Sequence, residues 1–299
     1  MKKPAYFRRV VLSASVLPIA FVAACAITPM HEPEGPARAE KAVAVTLSNK
    51  LIKFNSGQPG RILSTKAITG LQPGEMVLGI DYRVAKDALY ALGSSGRLYV
   101  VNEDTAVATM VGTPFAVALA GSDFGFDFNP TVDRIRVVSQ TGQNLRLHPD
   151  TGAVVDGNAE TAGVQTDGKL TFASGDANAG KTPAVTAAAY SYNKANPRIT
   201  TNYALDAATG ALVTQGSREG ATPAVSPNTG QLFTVGSLKM PFDSAAFDIQ
   251  AVSDVAFAAL NRGSGGTSRW VTIDLQTGAA RSFGHIGGGE AVRAIALEP

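Results

Sequence analysis

Residues 76–113 read MVLGIDYRVAKDALYALGSSGRLYVVNEDTAVATMVGT. Four runs in this stretch, MVLGIDYR, ALYALGS, GRLYVVNE and AVATMVGT, are rich in β-branched, aromatic and alternating apolar residues. Short polar turns separate them: Arg83–Asp87, then Ser94-Ser95-Gly96, then Glu103-Asp104-Thr105. Runs of this length between Gly, Asn, Asp and Ser clusters are strand signals. Gly96 takes a positive φ at no steric cost, as a tight hairpin requires. Four antiparallel strands in succession form a meander, which is one blade of a β-propeller.

The same unit recurs along the chain. Its corner returns as NEDT (102–105), HPDTG (148–152), LDAATG (205–210) and IDLQTG (273–278), each after an apolar run. A second unit reads DFGFDFNP, DRIRVVSQ, QNLRLHP and GAVVDG. A third runs from TAAAYSYN through PRITTNYALDAATGALVTQG to TGQLFTVGSL. A fourth reads AAFDIQAV, VAFAALNR, SRWVTIDL and AARSFGHI. A supersecondary unit repeated every few tens of residues cannot bury its apolar face alone, so the copies must pack on one another. The ends complete the pattern. AVRAIALEP (291–299) has the form of an inner strand with nothing after it, and 43–70 has the form of three outer strands with nothing before them. Joined, they make a fifth blade and remove two exposed sheet edges.

The expectation is therefore all-β: a single propeller over 43–299 of about five four-stranded blades, closed by pairing of the N- and C-terminal strands. A sixth blade would have to lie in 156–184, which reads instead as an elaborated blade edge and a long loop. Two β-sandwiches, the rival architecture, would need neither terminal closure nor a repeated inner-to-outer strand order. The Ala-rich stretches at 116–120, 187–189 and 256–259 are too short for stable helices and read as small-residue strands.

The first residues have another character. Lys2, Lys3, Arg8 and Arg9 precede the apolar VVLSASVLPIAFVAA (10–24), which is short for a bilayer span and has the flanks of a signal peptide. Val22-Ala23-Ala24-Cys25 resembles a bacterial lipobox, and Cys25 is the only cysteine of the 299 residues. This predicts a signal peptide over 1–24, lipidation at Cys25 and a flexible Pro/Glu/Ala-rich tether over 25–42. An ordinary secreted protein cut before His31 or Glu32 is the alternative. Loss of four basic residues leaves 22 against 24 acidic ones, taking the formal charge from +2 to −2. That balance argues against a nucleic-acid partner, which would select a basic face. The expected setting is the cell envelope, on the periplasmic side of a membrane or at the cell surface.

Two groups of residues carry chemistry. Asp127, Asn129, Asp133, Arg134, Arg136, Asn144 and Arg146 crowd onto two adjacent strand runs. Arg134 and Arg136 share a strand face, and Arg146 joins them if the register permits. Such arginines suit a carboxylate, sulfate or phosphate. Alternatively, Asp127 and Asp133 pair with the arginines and pin one blade to the next, while Asn129 and Asp133 serve turns. The second group is Asp81, Asp127 and Asp248, at matching positions of GIDY, GFDF and AFDI. Three inner-strand carboxylates can converge on the axis and hold a cation, or each can accept hydrogen bonds from a neighbouring blade. Tyr190-Ser191-Tyr192 breaks the pattern in the third unit, and Arg293 is the candidate to replace it in the fifth. None of the three histidines (His31, His148, His285) has metal-ligand spacing, and no HExxH, CxxC or GxSxG string occurs.

GFDFNPTVDRIRVVSQTGQNLRLHPDTGAVV (125–155), with GIDYRVAKDALYALGSSGRLYVVN (79–102), resembles the bacterial domain-of-unknown-function family numbered 4394. The AYSYN strand, VSPNTGQLFTVGSL, Phe247-Asp248-Ile249 and the IDLQTGAA corner agree, and the resemblance covers about 43–298. It implies a propeller-like repeat fold in secreted or envelope proteins, and it brings no catalytic residues. The resulting expectation is a monomeric, lipid-anchored envelope propeller without a cofactor. It would bind a protein, a glycan or a small anionic ligand without catalysis, and touch the membrane through its lipid. The alternative is a metal-dependent hydrolase or lactonase with Ca²⁺ at the axis, since six-bladed propeller hydrolases hold Ca²⁺ there through Asn, Asp and Glu.

Overall fold

The computed structural model describes residues 1, 2, 4, 35–263 and 265–299. The signal peptide, Cys25 and the tether as far as residue 34 fall outside them, apart from residues 1, 2 and 4. No α-helix occurs among the described residues, and two short 3₁₀ turns interrupt the strands. The strands form five sheets. Blade 1 is β4 (Val77–Arg83), β5 (Ala88–Gly93), β6 (Arg97–Asn102) and β7 (Val107–Val111). Blade 2 is β8 (Phe124–Asn129), β9 (Arg134–Ser139) and β10 (Asn144–Leu147). Blade 3 is β12 (Val185–Tyr190), β13 (Asn202–Asp206), β14 (Ala211–Gln215) and β15 (Gln231–Ser237), with β11 (Thr171–Phe172) added in parallel outside β15. Blade 4 is β16 (Ser244–Ile249), β17 (Ala256–Asn261), β18 (Arg269–Ile273) and β19 (Ala280–His285). Blade 5 joins the ends: β20 (Val292–Leu297), β1 (Lys41–Thr46), β2 (Lys50–Asn55) and β3 (Gln58–Ala67).

Closure is antiparallel, from Ala42 opposite Leu297 to Thr46 opposite Val292. The inner strands β4, β8, β12, β16 and β20 pack side by side, and β20 returns to β4, which makes the ring. Apolar residues gather between blades: one core joins blade 5 to blade 1 through Val43, Val45, Ile80 and Leu89. Another joins blade 4 to blade 5 around Trp270. Its indole is fully buried. It stands edge-on to Phe54 at 5.0 Å, stacks on Phe257 at 5.2 Å and donates Nε1–H to the Ser56 carbonyl at 2.9 Å.

Small residues on the inner strands have a packing reason. A Cβ on Gly79 would lie 2.4 Å from the Phe126 Cβ, and one on Gly125 would lie 2.5 Å from the Ala188 nitrogen. Neither distance is tolerable, so the ring closes at this radius only with glycine there. The first hairpin of blades 1, 2 and 4 ends in an aspartate with positive φ, namely Asp87 (47°), Asp133 (50°) and Asp254 (56°). Aspartate tolerates this left-handed conformation better than most residues.

Three expectations need correction. GAVVDG does not form a fourth strand in blade 2; it retains one bridge, Leu147 to Val154. The chain instead leaves the blade for the loops that carry Asp167, so blade 2 has three strands and blade 3 has five. Residues 116–120 are irregular loop, whereas 187–189 and 256–259 do lie in strands. The segment read as the end of a flexible tether is docked by residue 35. Gly35 O accepts from Gln58 Nε2, Arg38 N donates to Asn55 Oδ1, and strand pairing starts at Lys41.

Candidate functional site

Each inner strand has one edge facing the axis, where no further strand can pair its backbone. Buried N–H groups there need another acceptor. Asp81, Asp127 and Asp248 provide it. Asp81 accepts from Tyr82 N and, across the blade boundary, from Phe128 N, both at 2.7 Å. Asp127 accepts from Tyr190 N of blade 3 at 2.9 Å. Asp248 accepts from Ile249 N and from Leu297 N of blade 5, both at 2.6 Å. Three carboxylates thus satisfy one N–H from every inner strand and cross three blade boundaries. The equivalent positions in blades 3 and 5 are Ala189 and Ala296. Arg293 does not take that place. Its guanidinium donates to the Val77 and Leu47 carbonyls, because it lies three residues before the carboxylate level.

The aspartates make separate hydrogen bonds, and they also converge: one oxygen from each lies within 4.8 Å of the others. They are 5 %, 3 % and 5 % exposed. Burial raises all three pKa values, and neighbouring carboxylates add to it at two of them: Asp248 at Asp81, and both others at Asp127. Asp248 is pushed up to about 6 by burial, against the pull of its two N–H donors. Tyr192 is raised as well, by burial and then by these three charges. Like charges this close in a low-dielectric interior cannot all persist without a counter-charge. Shared protons or a cation would supply it. The donor set fits protons better. Five of the six oxygens already accept a backbone N–H, while Ca²⁺ requires six to eight oxygen ligands. Toward the N-terminal ends of the inner strands lies a void of about 10 Å³, about one water molecule in size.

The second cluster lies between blades 2 and 3. Arg136 stands opposite Arg146 in the β9–β10 pairing, so both guanidiniums reach one face, as the alternation predicted. They converge on Asp167. Arg136 Nη1 donates to Asp167 Oδ2 at 2.6 Å, and Arg146 donates to both oxygens at 2.8 Å. The Arg136 and Asp167 side chains are each 2 % exposed. Arg136 also donates to Tyr190 Oη, Asn144 Oδ1 and Asn228 Oδ1. Burial opposes its charge, and Tyr190 and Asp167 outweigh that effect. Arg136, Arg146, Tyr190 and Asn228 line a pocket of about 440 Å³ together with Asn129, Val132 and Arg134.

The other predicted residues divide between structure and site. Asp127 pairs with no arginine and belongs to the axis. Asp133 pairs across the blade boundary with buried Arg83, which also bonds Asp150, so this group pins blade 1 to blade 2. Asn129 caps its turn by accepting from Thr131 N and Oγ1. Asn144 accepts from Arg136 and Gln215 and donates to the Gly168 carbonyl. Sequence reasoning missed Asp167, Asn228 and Arg83. The first two sit in long loops without periodicity, where Asp167-Gly168 reads only as a turn signal. A larger groove of about 870 Å³ between blades 1 and 5 has Lys53 already paired with Glu103 at 2.7 Å.

The model of the domain of unknown function DUF4394 matches residues 50–296. The chain belongs to that family. No curated protein matches it. Among solved structures it is similar to a protein of unknown function from Bacteroides thetaiotaomicron VPI-5482, with 14 % identity over 80 % of this chain and 56 % of that one, at a TM-score of 0.45. It thus spans just over half of that protein's length. It is also similar to the Myxococcus xanthus glutaminyl cyclase, with 11 % identity over 71 % and 77 % of the two chains at a TM-score of 0.43. A chain of a nidogen/laminin complex matches at 10 % identity over 87 % and 98 %, at a TM-score of 0.44. These likenesses are too distant to bring an activity to this DUF4394 member.

Proposed function

We propose that this DUF4394 protein is a lipid-anchored envelope propeller that works by binding rather than by catalysis. One observation carries the non-catalytic part: the convergent carboxylates are 3–5 % exposed and bond the backbone N–H groups of all five inner strands. Groups engaged in that way have no route to a substrate, and general acid–base work requires hydrogen-bond reach of the reacting atom. The anchoring part rests on the apolar run ending at Cys25.

Fractionation tests the anchor: Cys25→Ala should move the protein from the membrane to the soluble fraction, and unchanged membrane association would refute it. An ester and lactone hydrolysis panel tests the rest, and turnover abolished by Asp127→Asn would overturn it. The convergence within 4.8 Å favours one second reading, a divalent cation at the axis serving a hydrolase or lactonase. Under that reading millimolar Ca²⁺ or Mn²⁺ raises Tm and Asp127→Asn removes the rise; under the leading reading neither ion shifts it.

A further inference from the structure

The pocket between blades 2 and 3 has an unusual balance of hydrogen-bonding groups, and this narrows what it can hold. A guanidinium has five N–H donors and no acceptor. Arg136 spends four of them, on Tyr190, Asn144, Asp167 and Asn228. Arg146 spends two, both on Asp167. Arg134 spends one, on the Asp133 carbonyl next to it in sequence. Most N–H groups of Arg134 and Arg146 are therefore uncommitted. The surrounding groups are turned the same way. The Tyr190 hydroxyl accepts from Arg136 Nε, which leaves its O–H to donate. The Asn228 carbonyl oxygen accepts from Arg136, which leaves its Nδ2 group to donate. The one carboxylate, Asp167, has both oxygens engaged by Arg136 and Arg146.

The pocket is thus a donor array lined by three guanidiniums and no carboxylate; counting Asp167, which pairs with Arg136 and Arg146, the local net charge is +2. A neutral sugar, which needs acceptors as well as donors, would leave most of it unmatched, and an amine would be repelled. An oxyanion is complementary. A carboxylate or sulfate ester brings one negative charge, whereas a phosphomonoester brings about 1.5 to 2 at neutral pH and three terminal oxygens, which matches the charge and the donor surplus. The volume of about 440 Å³ exceeds what a bare anion fills, and Val132, Ile135, Val155 and Pro227 give it apolar walls.

We propose that this pocket binds a small organic phosphomonoester. Arg136 is the fixed base of the site, and Arg134 and Arg146 close on the phosphate. This deepens the binding reading above and rests on it. Arg134 is the residue to change, because its single local bond makes it dispensable for folding, whereas Arg146 helps neutralise Asp167.

The experiment is calorimetric titration of the purified full-length chain with phenyl phosphate, phenyl sulfate, benzoate and benzyl alcohol as probes. Phenyl phosphate should bind, more weakly at high salt, and benzyl alcohol should not. Arg134→Ala and Arg134→Gln should each weaken phenyl phosphate binding tenfold or more with Tm unchanged. Equal binding of benzoate would overturn the phosphoester assignment, as would full affinity in both variants or no binding of phenyl phosphate at all. Release of phenol during the titration would instead sink the non-catalytic reading, which keeps the two failures apart.

Discussion

Removing single axial aspartates should separate the hydrogen-bonding role of the triad from its crowding. Asp248→Ala strips the acceptor from two buried backbone donors, Ile249 N and Leu297 N, and the second lies on the strand that closes the ring. Asp127→Ala strips it from one, Tyr190 N. An orphaned buried donor costs about 1–3 kcal/mol. The variants should therefore differ by about that much, with Asp248→Ala the less stable. Crowding pushes the same way. Asp127 feels both other carboxylates, so its removal relieves more repulsion and offsets more of its own loss. For a domain of this size 1 kcal/mol moves Tm by roughly 2–4 °C, so Asp248→Ala should melt roughly 2–12 °C below Asp127→Ala. Differential scanning calorimetry of both variants at pH 7.5 gives the comparison. Equal melting, or the reverse order, would refute the assignment of two donors to Asp248 and one to Asp127.

Other outcomes follow from the same geometry. A carboxyl with a raised folded pKa stabilises fully below its unfolded value, 3.8, and loses that contribution as pH rises through the folded value, about 6 for Asp248. Tm should therefore climb between pH 7.5 and 5, and Asp127→Asn should flatten the climb. Asp167→Ala leaves the buried Arg136 charge without its carboxylate and should cost about 3–5 kcal/mol, read as a drop in the urea midpoint. Gly125→Ala forces a Cβ to 2.5 Å from the Ala188 nitrogen. It should lower stability by about 1–3 kcal/mol, whereas Ala substitution at Gly163, which has nothing within 4 Å of a Cβ, meets only the strain of its positive φ.

The parts of this protein that were legible in the sequence are those governed by local period. Strand alternation and the recurring D-x-x-T-G type corners mark the blades, and the unpaired terminal runs mark the closure, because a sheet edge has to be paired somewhere. The axial triad was legible too, since Asp81, Asp127 and Asp248 occupy one phase of a repeated strand. Their use as acceptors for all five inner strands was not. It depends on Phe128, Tyr190 and Leu297 arriving from neighbouring blades, and nothing in a backbone N–H is visible as a residue type. Arg136 and Arg146 could be paired from strand phase, but Asp167 could not. It reaches them from a loop where blade 2 gives up its fourth strand, and loops carry no period to place a side chain. Arg293 misled for a related reason: position in the chain suggested the axial level, while the register puts that level at Ala296, three residues further along.

On the reading proposed above, the axial carboxylates are a closed structural clasp, neutralised by shared protons and withheld from chemistry. Carbon-13 NMR of the aspartate carboxyl groups, titrated from pH 4 to 9 in chelator-treated protein and assigned with Asp81→Asn, Asp127→Asn and Asp248→Asn, tests it directly. At least one carboxyl should still be protonated at pH 7, and the spectrum should be unchanged by millimolar Ca²⁺ or Mg²⁺. Three carboxylates ionised at pH 7, or carboxyl shifts that appear on adding either cation, would contradict it.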